Sequence, residues 1–260
     1  ERGTALGYNP NTLAFLWMLA IIALTGLCLS TVYNPFMRLL LGMLAVPMLV
    51  GLVRTGSRAG IGALMIGFVV YLLPYWRSKG RGTAIILAVC ALAATAYLVM
   101  QAPVADRLQR AREGQFAGRE EIFPLALAMA LERPLLGWKP LMAGHELGRR
   151  VYDIYHYGGR DAHNLLLHLF MEGGIVGASP FLVGLWFCGQ SAWKARSKPL
   201  GLLPIALFCA VLVWSIGHTE LTRKPFWLVL ALASAATSIA AGDTTQHRIL
   251  LVRRPARNQT

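Results

Sequence analysis

The sequence predicts an all-α, polytopic transmembrane protein, and three observations predict it. Of the 260 residues 56% are hydrophobic and 14% charged, against roughly 45–50% and about 25% in an average soluble domain. The apolar residues gather in long uncharged runs. The Lys and Arg behind the net charge of +13 cluster between those runs. Together these exclude a disordered chain, an ordinary soluble enzyme and a small disulfide scaffold. The basic balance alone would allow a nucleic-acid partner, but the uncharged runs argue against one. The four cysteines, Cys28, Cys90, Cys188 and Cys209, lie inside the runs with no Cys-x-x-Cys pair and no Cys/His cluster. They read as buried thiols, not as disulfides or metal ligands.

A helix needs about 20 apolar residues to cross the roughly 30 Å hydrocarbon core. That length places about seven spans, near 12–33, 36–53, 59–76, 82–102, 164–190, 199–218 and 225–242. The first two are separated at Tyr33-Asn34-Pro35, because proline cannot continue a helix smoothly. The second span is short, but Arg38 at its end can snorkel to the interface. Between the second and third only Arg54-Thr-Gly-Ser-Arg58 remains, so that turn is tight. The chain 1–260 reads as a single membrane domain with one inserted loop, 103–163, between spans four and five.

Lys and Arg in short loops mark the cytoplasmic side. The segments after spans three, five and seven, with Arg38, hold eleven basic residues, and short segments on the opposite side hold five. One alternating topology puts the basic tail in the cytoplasm and the N-terminus and loop outside. A chain that begins at Glu1 yet starts outside is expected to be the C-terminal part of a longer protein. The loop carries nine Lys/Arg and eight Asp/Glu, and is where any chemistry is expected.

Arg54 and Arg58 flank the tight outer turn. Arginine near membrane depth either snorkels to the interface or faces a cavity or partner. In the second case a guanidinium fork can clamp a phosphate. In the loop, Arg107, Arg110 and Arg112 read as a solvated helical face. Gly118-Arg119-Glu120-Glu121 opens an apolar helical pattern running to Leu131. Glu120 and Glu121 suit the helix dipole, whereas Arg119 there is unfavourable unless an anion sits beside it. The stretch from Glu132 to Trp138 reads as the end of that helix and a turn. His163-Asn164 stands where the loop re-enters the membrane; a histidine there either caps and hydrogen-bonds or accepts a proton near neutral pH. Glu172 lies nine residues further along, about 13 Å deeper at 1.5 Å per residue, and is spaced to pair with His168.

Absences narrow the chemistry. There is no Gly-x-x-x-x-Gly-Lys-[Ser/Thr], no His-Glu-x-x-His and no Asp-x-Asp in the loop to hold a metal on a diphosphate. No histidine and aspartate follow Ser57-Arg58 at the spacing of a histidine-nucleophile phosphatase. A reaction on an anionic lipid without metal or other cofactor is the simplest reading.

Several motifs recur in an order that resembles the O-antigen ligase and O-antigen polymerase superfamily of bacterial inner-membrane glycosyltransferases. They are Gly7-Tyr-Asn-Pro-Asn11, Thr55-Gly-Ser-Arg58-Ala-Gly60, Gly118-Arg119, Pro134-Leu-Leu-Gly-Trp138 and Ala162-His-Asn-Leu-Leu-Leu-His-Leu-Phe-Met-Glu-Gly-Gly-Ile-Val-Gly177. The resemblance covers about residues 3–190. It departs at Phe123 and Pro124, where a tryptophan is frequent, and at Lys139, where a glycine is common.

The resemblance implies a multi-pass protein of the bacterial inner membrane, its active site facing the periplasm. It implies transfer of a glycan from undecaprenyl diphosphate to a sugar hydroxyl, for the ligase that of lipid A–core, with inversion and without cofactor. Arg58, Arg119 and His163 would be the catalytic residues: the two arginines on the diphosphate leaving group, the histidine on the acceptor hydroxyl. Arg54, Trp138, Asn164 and Glu172 would contact substrate. A polymerase extending the lipid-linked glycan shares these motifs. A lipid-glycan transporter would expect ionisable residues spread over several spans and paired broken helices. A purely structural membrane subunit would give the two arginines and the histidine no reason to share one level.

Overall fold

The computed structural model describes residues 9–29, 33–73, 118–156, 161–197 and 201–252. Among them every regular element is helical: α1 (Pro10–Leu29), α2 (Pro35–Arg54), α3 (Arg58–Leu72), α4 (Arg119–Glu132), α5 (Met142–Tyr155), α6 (Leu165–Lys194), α7 (Leu203–Trp214) and α8 (Lys224–Val252). A short 3₁₀ turn, Ala195–Ser197, follows α6.

The helix starts are set by local chemistry. Asn34 accepts the Met37 amide at 2.8 Å and Pro35 occupies the first turn of α2. In the turn after α2 the Thr55 hydroxyl donates to the Leu52 carbonyl at 2.6 Å, and Gly56 takes a left-handed φ of 66°. Ser57 then caps α3 through the Gly60 amide at 3.3 Å. Asn164 caps α6 by accepting the Leu167 amide at 3.0 Å. Helix α5 was not expected; Ala143, Leu147 and Val151 recur every fourth residue and form its buried stripe.

Two apolar clusters organise the molecule. The larger joins α1, α3, α6, α7 and α8 around Phe15, Leu64, Phe208, Trp214 and Phe226. The smaller belongs to the loop: Ile122, Ala126 and Met129 of α4 meet Ala143, Leu147 and Val151 of α5, with Met171 of α6. Helix α2 exposes most of its apolar side chains, among them Phe36, Met43 and Val46, as a lipid-facing helix must. Cys28, Cys188 and Cys209 are free thiols, each half-buried, and Cys90 lies outside the described residues.

The protein is a helical membrane protein, but seven full spans are not what the structure supports. Among the described residues three helices are long and apolar enough to cross a membrane, Pro10–Leu29, Pro35–Arg54 and Leu165–Ser197. The other apolar helices, Arg58–Tyr71, Leu203–Trp214 and Lys224–Ile239, are shorter. Twelve residues make about 18 Å of helix, well short of a roughly 30 Å core. Turn residues Ser215 and Ile216 end α7 before the expected boundary at 218. The expected span 82–102 lies outside the described residues.

Helix α6 is also not one straight rod. Gly174 has φ 59° and ψ −162°, outside helical space. The Leu165 amide donates to Ser215 O, while Gly189 packs against the Phe208 ring. Seven residues of α7 separate those two partners, about 10 Å of rise, whereas 24 residues of straight α6 would span about 36 Å. The chain therefore doubles back at Gly174. A first leg, 165–173, runs from the main core to the loop cluster, and a second leg, 174–194, returns.

The break is capped by the loop. Met171 O and Glu172 O, left without helical donors, accept the Trp138 and Lys139 amides at 2.9 and 2.8 Å. Ile175 N and Val176 N, left without acceptors, donate to Pro134 O and Leu135 O at 2.8 and 3.1 Å. The two main chains approach so closely that a Cβ on Gly137 would stand 2.5 Å from the Glu172 carbonyl carbon, and one on Gly174 would overlap Leu135. Glu172 thus belongs to the loop layer.

We expect Gly174→Ala to lower stability by at least ~2 kcal/mol, since ψ near 180° at positive φ is open almost only to glycine. The melting temperature of the detergent-solubilised variant should fall; an unchanged value would refute the clasp geometry.

Candidate active site

The site is built at the C-terminal end of α7. The last carbonyls of a helix lack internal donors and carry the negative end of its dipole. The turn that follows Trp214 continues this need for donors, and three reach it: the Leu165 amide on Ser215 O at 2.9 Å, Asn164 Nδ2 on Ile216 O at 3.0 Å, and Arg119 Nη2 on Gly217 O at 2.7 Å. The start of α6 and the start of α4 are thereby pinned to one point. A Cβ on Gly217 would lie 3.4 Å from the Arg119 guanidinium, so the small residue lets the arginine settle against the main chain.

Arg119 is half-buried, and its pKa is lowered, by burial first and then by the charge of Arg58, with Asp161 and Glu120 acting the other way. A guanidinium remains charged regardless. The positive group at a helix N-terminus is thus accommodated by α7's carbonyl end, and Arg58 adds a second cation beside it. Arg58 is itself the first residue of α3, so two guanidinium groups and two helix N-termini share this level. A cavity of about 430 Å³ opens against Arg119, lined also by Phe123, Ile216 and Gly217.

His163 sits in a left-handed conformation, φ 51°, that a non-glycine residue rarely adopts. Its amide donates to Asp161 Oδ1 at 2.9 Å and its Nδ1 faces Asp161 Oδ2 at 3.5 Å. Asp161 therefore holds the backbone and sets a carboxylate beside the ring. With the proton of the neutral ring on Nδ1, toward the carboxylate, Nε2 is the nitrogen carrying the lone pair.

Two groups absent from the sequence reading complete the cluster. His218 stacks on Trp214 with ring centroids 4.0 Å apart, and is 7% exposed. Its pKa is lowered to about 4, by burial first and then by Arg119 and His163, against the Trp214 carbonyl and Asp161. Glu220 accepts from Trp214 Nε1 at 3.2 Å and lies 3.7 Å from Arg223. Burial raises its carboxyl above the usual range. Trp214 also packs on Phe15 at 5.2 Å, so the site rests on the main core.

The structure thus brings together Arg58, Arg119, His163 and Asn164. It leaves the other three sequence-derived residues outside the cluster. Arg54 is exposed at the end of α2. Trp138 packs on the loop core, donates to Met129 O at 2.9 Å and carries Arg133 3.9 Å above its ring. Glu172 pairs with His168 Nε2 at 3.2 Å. Arg107, Arg110 and Arg112 lie outside the described residues. Among the described residues no group of three or more His, Cys, Asp or Glu is arranged to hold a metal.

A family model described as O-antigen ligase matches residues 43–182, just over half of the chain and the part that holds Arg58, Arg119 and His163. No curated protein matches the chain.

Because His218 is neutral in the folded state down to about pH 4, while an unfolded histidine takes up its proton near 6.5, the stability it supports is complete above 6.5. It is lost as pH falls from 6.5 towards 4, by on the order of 3 kcal/mol. Glu220, with the opposite sign, offsets part of this near the lower end. We expect melting temperature to fall between pH 7 and 5, and His218→Asn to flatten that fall; an unchanged slope would refute the assignment.

Proposed function

Starting from a chain that belongs to the O-antigen ligase family, we propose that it transfers a glycan from undecaprenyl diphosphate to a sugar hydroxyl of lipid A–core. The observation that carries this reading is the convergence of Arg119, Arg58 and the Asp161-held His163 at the end of α7.

The acceptor hydroxyl attacks the anomeric carbon from the face opposite the diphosphate. The new C–O bond forms as the bond to the phosphate oxygen breaks, and that electron pair leaves with the diphosphate. Its developing charge falls between the Arg58 and Arg119 guanidinium groups, aided by the amide ends of α3 and α4. The hydroxyl proton passes to His163 Nε2, and Asp161 keeps the ring oriented and offsets the imidazolium. One displacement gives inversion. Asn164 fixes the height of His163 through Ile216, and exposed Arg54 draws the anionic donor towards the turn. We place the cluster on the periplasmic face of the bacterial inner membrane, with the basic tail in the cytoplasm, because the Lys/Arg asymmetry favours it.

An apolar cavity of about 720 Å³ starts beside Asn164 and Ile216 and runs between α7 and the second leg of α6 to Gln190 and Trp193. It offers the first isoprene units of the donor a path into the bilayer next to the arginines.

Membranes containing the protein should convert a defined undecaprenyl-diphosphate oligosaccharide and lipid A–core into capped lipid A–core. Arg58→Ala and Arg119→Ala should each lower the rate by ~10²–10³, the cost of removing a charge-stabilising donor, and His163→Ala by ~10²–10⁴. Equal rates in all three would overturn the reading, and a lengthened polyprenyl glycan without capped core would make the protein a polymerase. Leu212→Trp, which fills the apolar cavity, should raise the donor KM several-fold with little change in kcat.

A further inference from the structure

The clasp that caps the break in α6 carries an exposed apolar surface that neither core explains. Leu135 and Leu136, at its turn, are 64% and 70% exposed, and Ile175 and Val176, bonded to that turn, are 52% and 58% exposed. Leu131, one helical turn before it, and Leu141, just after it, are exposed to 69% and 80%. Leu141 is held outward by a left-handed backbone, φ 69°, as is neighbouring Lys139, φ 70°. A conformation that costs about 1–3 kcal/mol per residue is here spent on presenting a leucine rather than burying it.

We infer that this surface is an interfacial anchor, and that its partner is the lipid of the leaflet into which the second leg of α6 descends. Continuity with the lipid-facing helix favours lipid over a protein partner. Val176 stands seven residues, about 10 Å of helix, above Val183, and Val183, Trp186 and Phe187 form the exposed apolar face of that leg. With Val183 a few ångström inside the hydrocarbon, as a lipid-facing side chain requires, a headgroup zone about 5–8 Å deep on each side takes in the clasp. The charge pattern agrees. Arg133 and Lys139 flank the leucines and are exposed, placed as snorkelling cations are beside lipid phosphates. The nearby acid Glu132 is taken up by Arg150 at 2.6 Å. The loop therefore lies on the membrane with its turn dipped in. The inference rests on the membrane placement of α6 and not on the transfer reaction.

The test is spectroscopic. Nitroxide labels go on Leu136→Cys, Leu141→Cys and Leu131→Cys, in a background freed of native cysteines, with the exposed α5 residue Tyr152→Cys as the aqueous reference. The whole chain is reconstituted in phosphatidylethanolamine–phosphatidylglycerol vesicles. Labels at 136 and 141 should show a several-fold higher ratio of oxygen to nickel-chelate collisions than the label at 152, at a depth of ~5–10 Å. A ratio equal to that at 152 would overturn the proposal, as would dipolar broadening between labels on two copies, which would make the surface a self-association face. All the labelled positions are exposed, and 131 gives an independent reading should one label perturb the turn. None of these outcomes depends on glycan transfer, so the two readings fail separately.

Discussion

Three donors on the carbonyls of the turn that ends one short helix hold the candidate site together. Helix α7 is only 12 residues long, and the carbonyls of Ser215, Ile216 and Gly217, in the turn just beyond it, need donors in an apolar setting. Leu165, Asn164 and Arg119 satisfy them. A hydrogen bond to a charged donor contributes about 1.5–3 kcal/mol, more than a neutral one, and the dipole adds to it. The same contact answers the electrostatic problem of Arg119, a cation at a helix start with another cation nearby. Structure and function are coupled there, because the groups that finish α7 also orient the residues around the proposed reaction.

A second constraint acts further out. A helix that reverses direction exposes two sets of unpaired backbone groups, and a membrane environment tolerates this only where protein satisfies them. The loop segment 134–139 does so with main-chain atoms alone. Broken helices in transporters line a substrate path; this one is closed over by the loop.

Much of this was legible in the sequence where the deciding interactions are local. Asn34-Pro35, Ser57-Arg58 and Asn164-Leu165 each mark a helix start because a side-chain cap acts within three residues of its target, and Gly118 marks another by its left-handed φ of 79°. The reversal at Gly174 was not legible, since hydropathy carries no direction and 165–190 reads as one apolar run. The Gly173-Gly174 doublet was visible, but a glycine pair also fits within a helix; only its partner Gly137, far away in sequence, decides the matter. Span length misled for a related reason. Ser215, Ile216 and Gly217 look apolar enough to extend α7, yet their carbonyls are engaged sideways. His218 and Glu220 were overlooked because they sit at the edge of an apolar run, and their importance comes from Arg119, about a hundred residues earlier. Asp161 was passed over beside the more conspicuous His163.

The glycine clasp has a consequence for exchanging parts between relatives. Because its four bonds run from main chain to main chain, register is decided by two α-carbons that bear no side chain. The stretch from Gly118 to Val176 is then the transplantable unit, including the outward leg of α6. A graft cut at His163, where hydropathy would end the loop, would separate the two halves of the latch and leave a bent helix with nothing to close it.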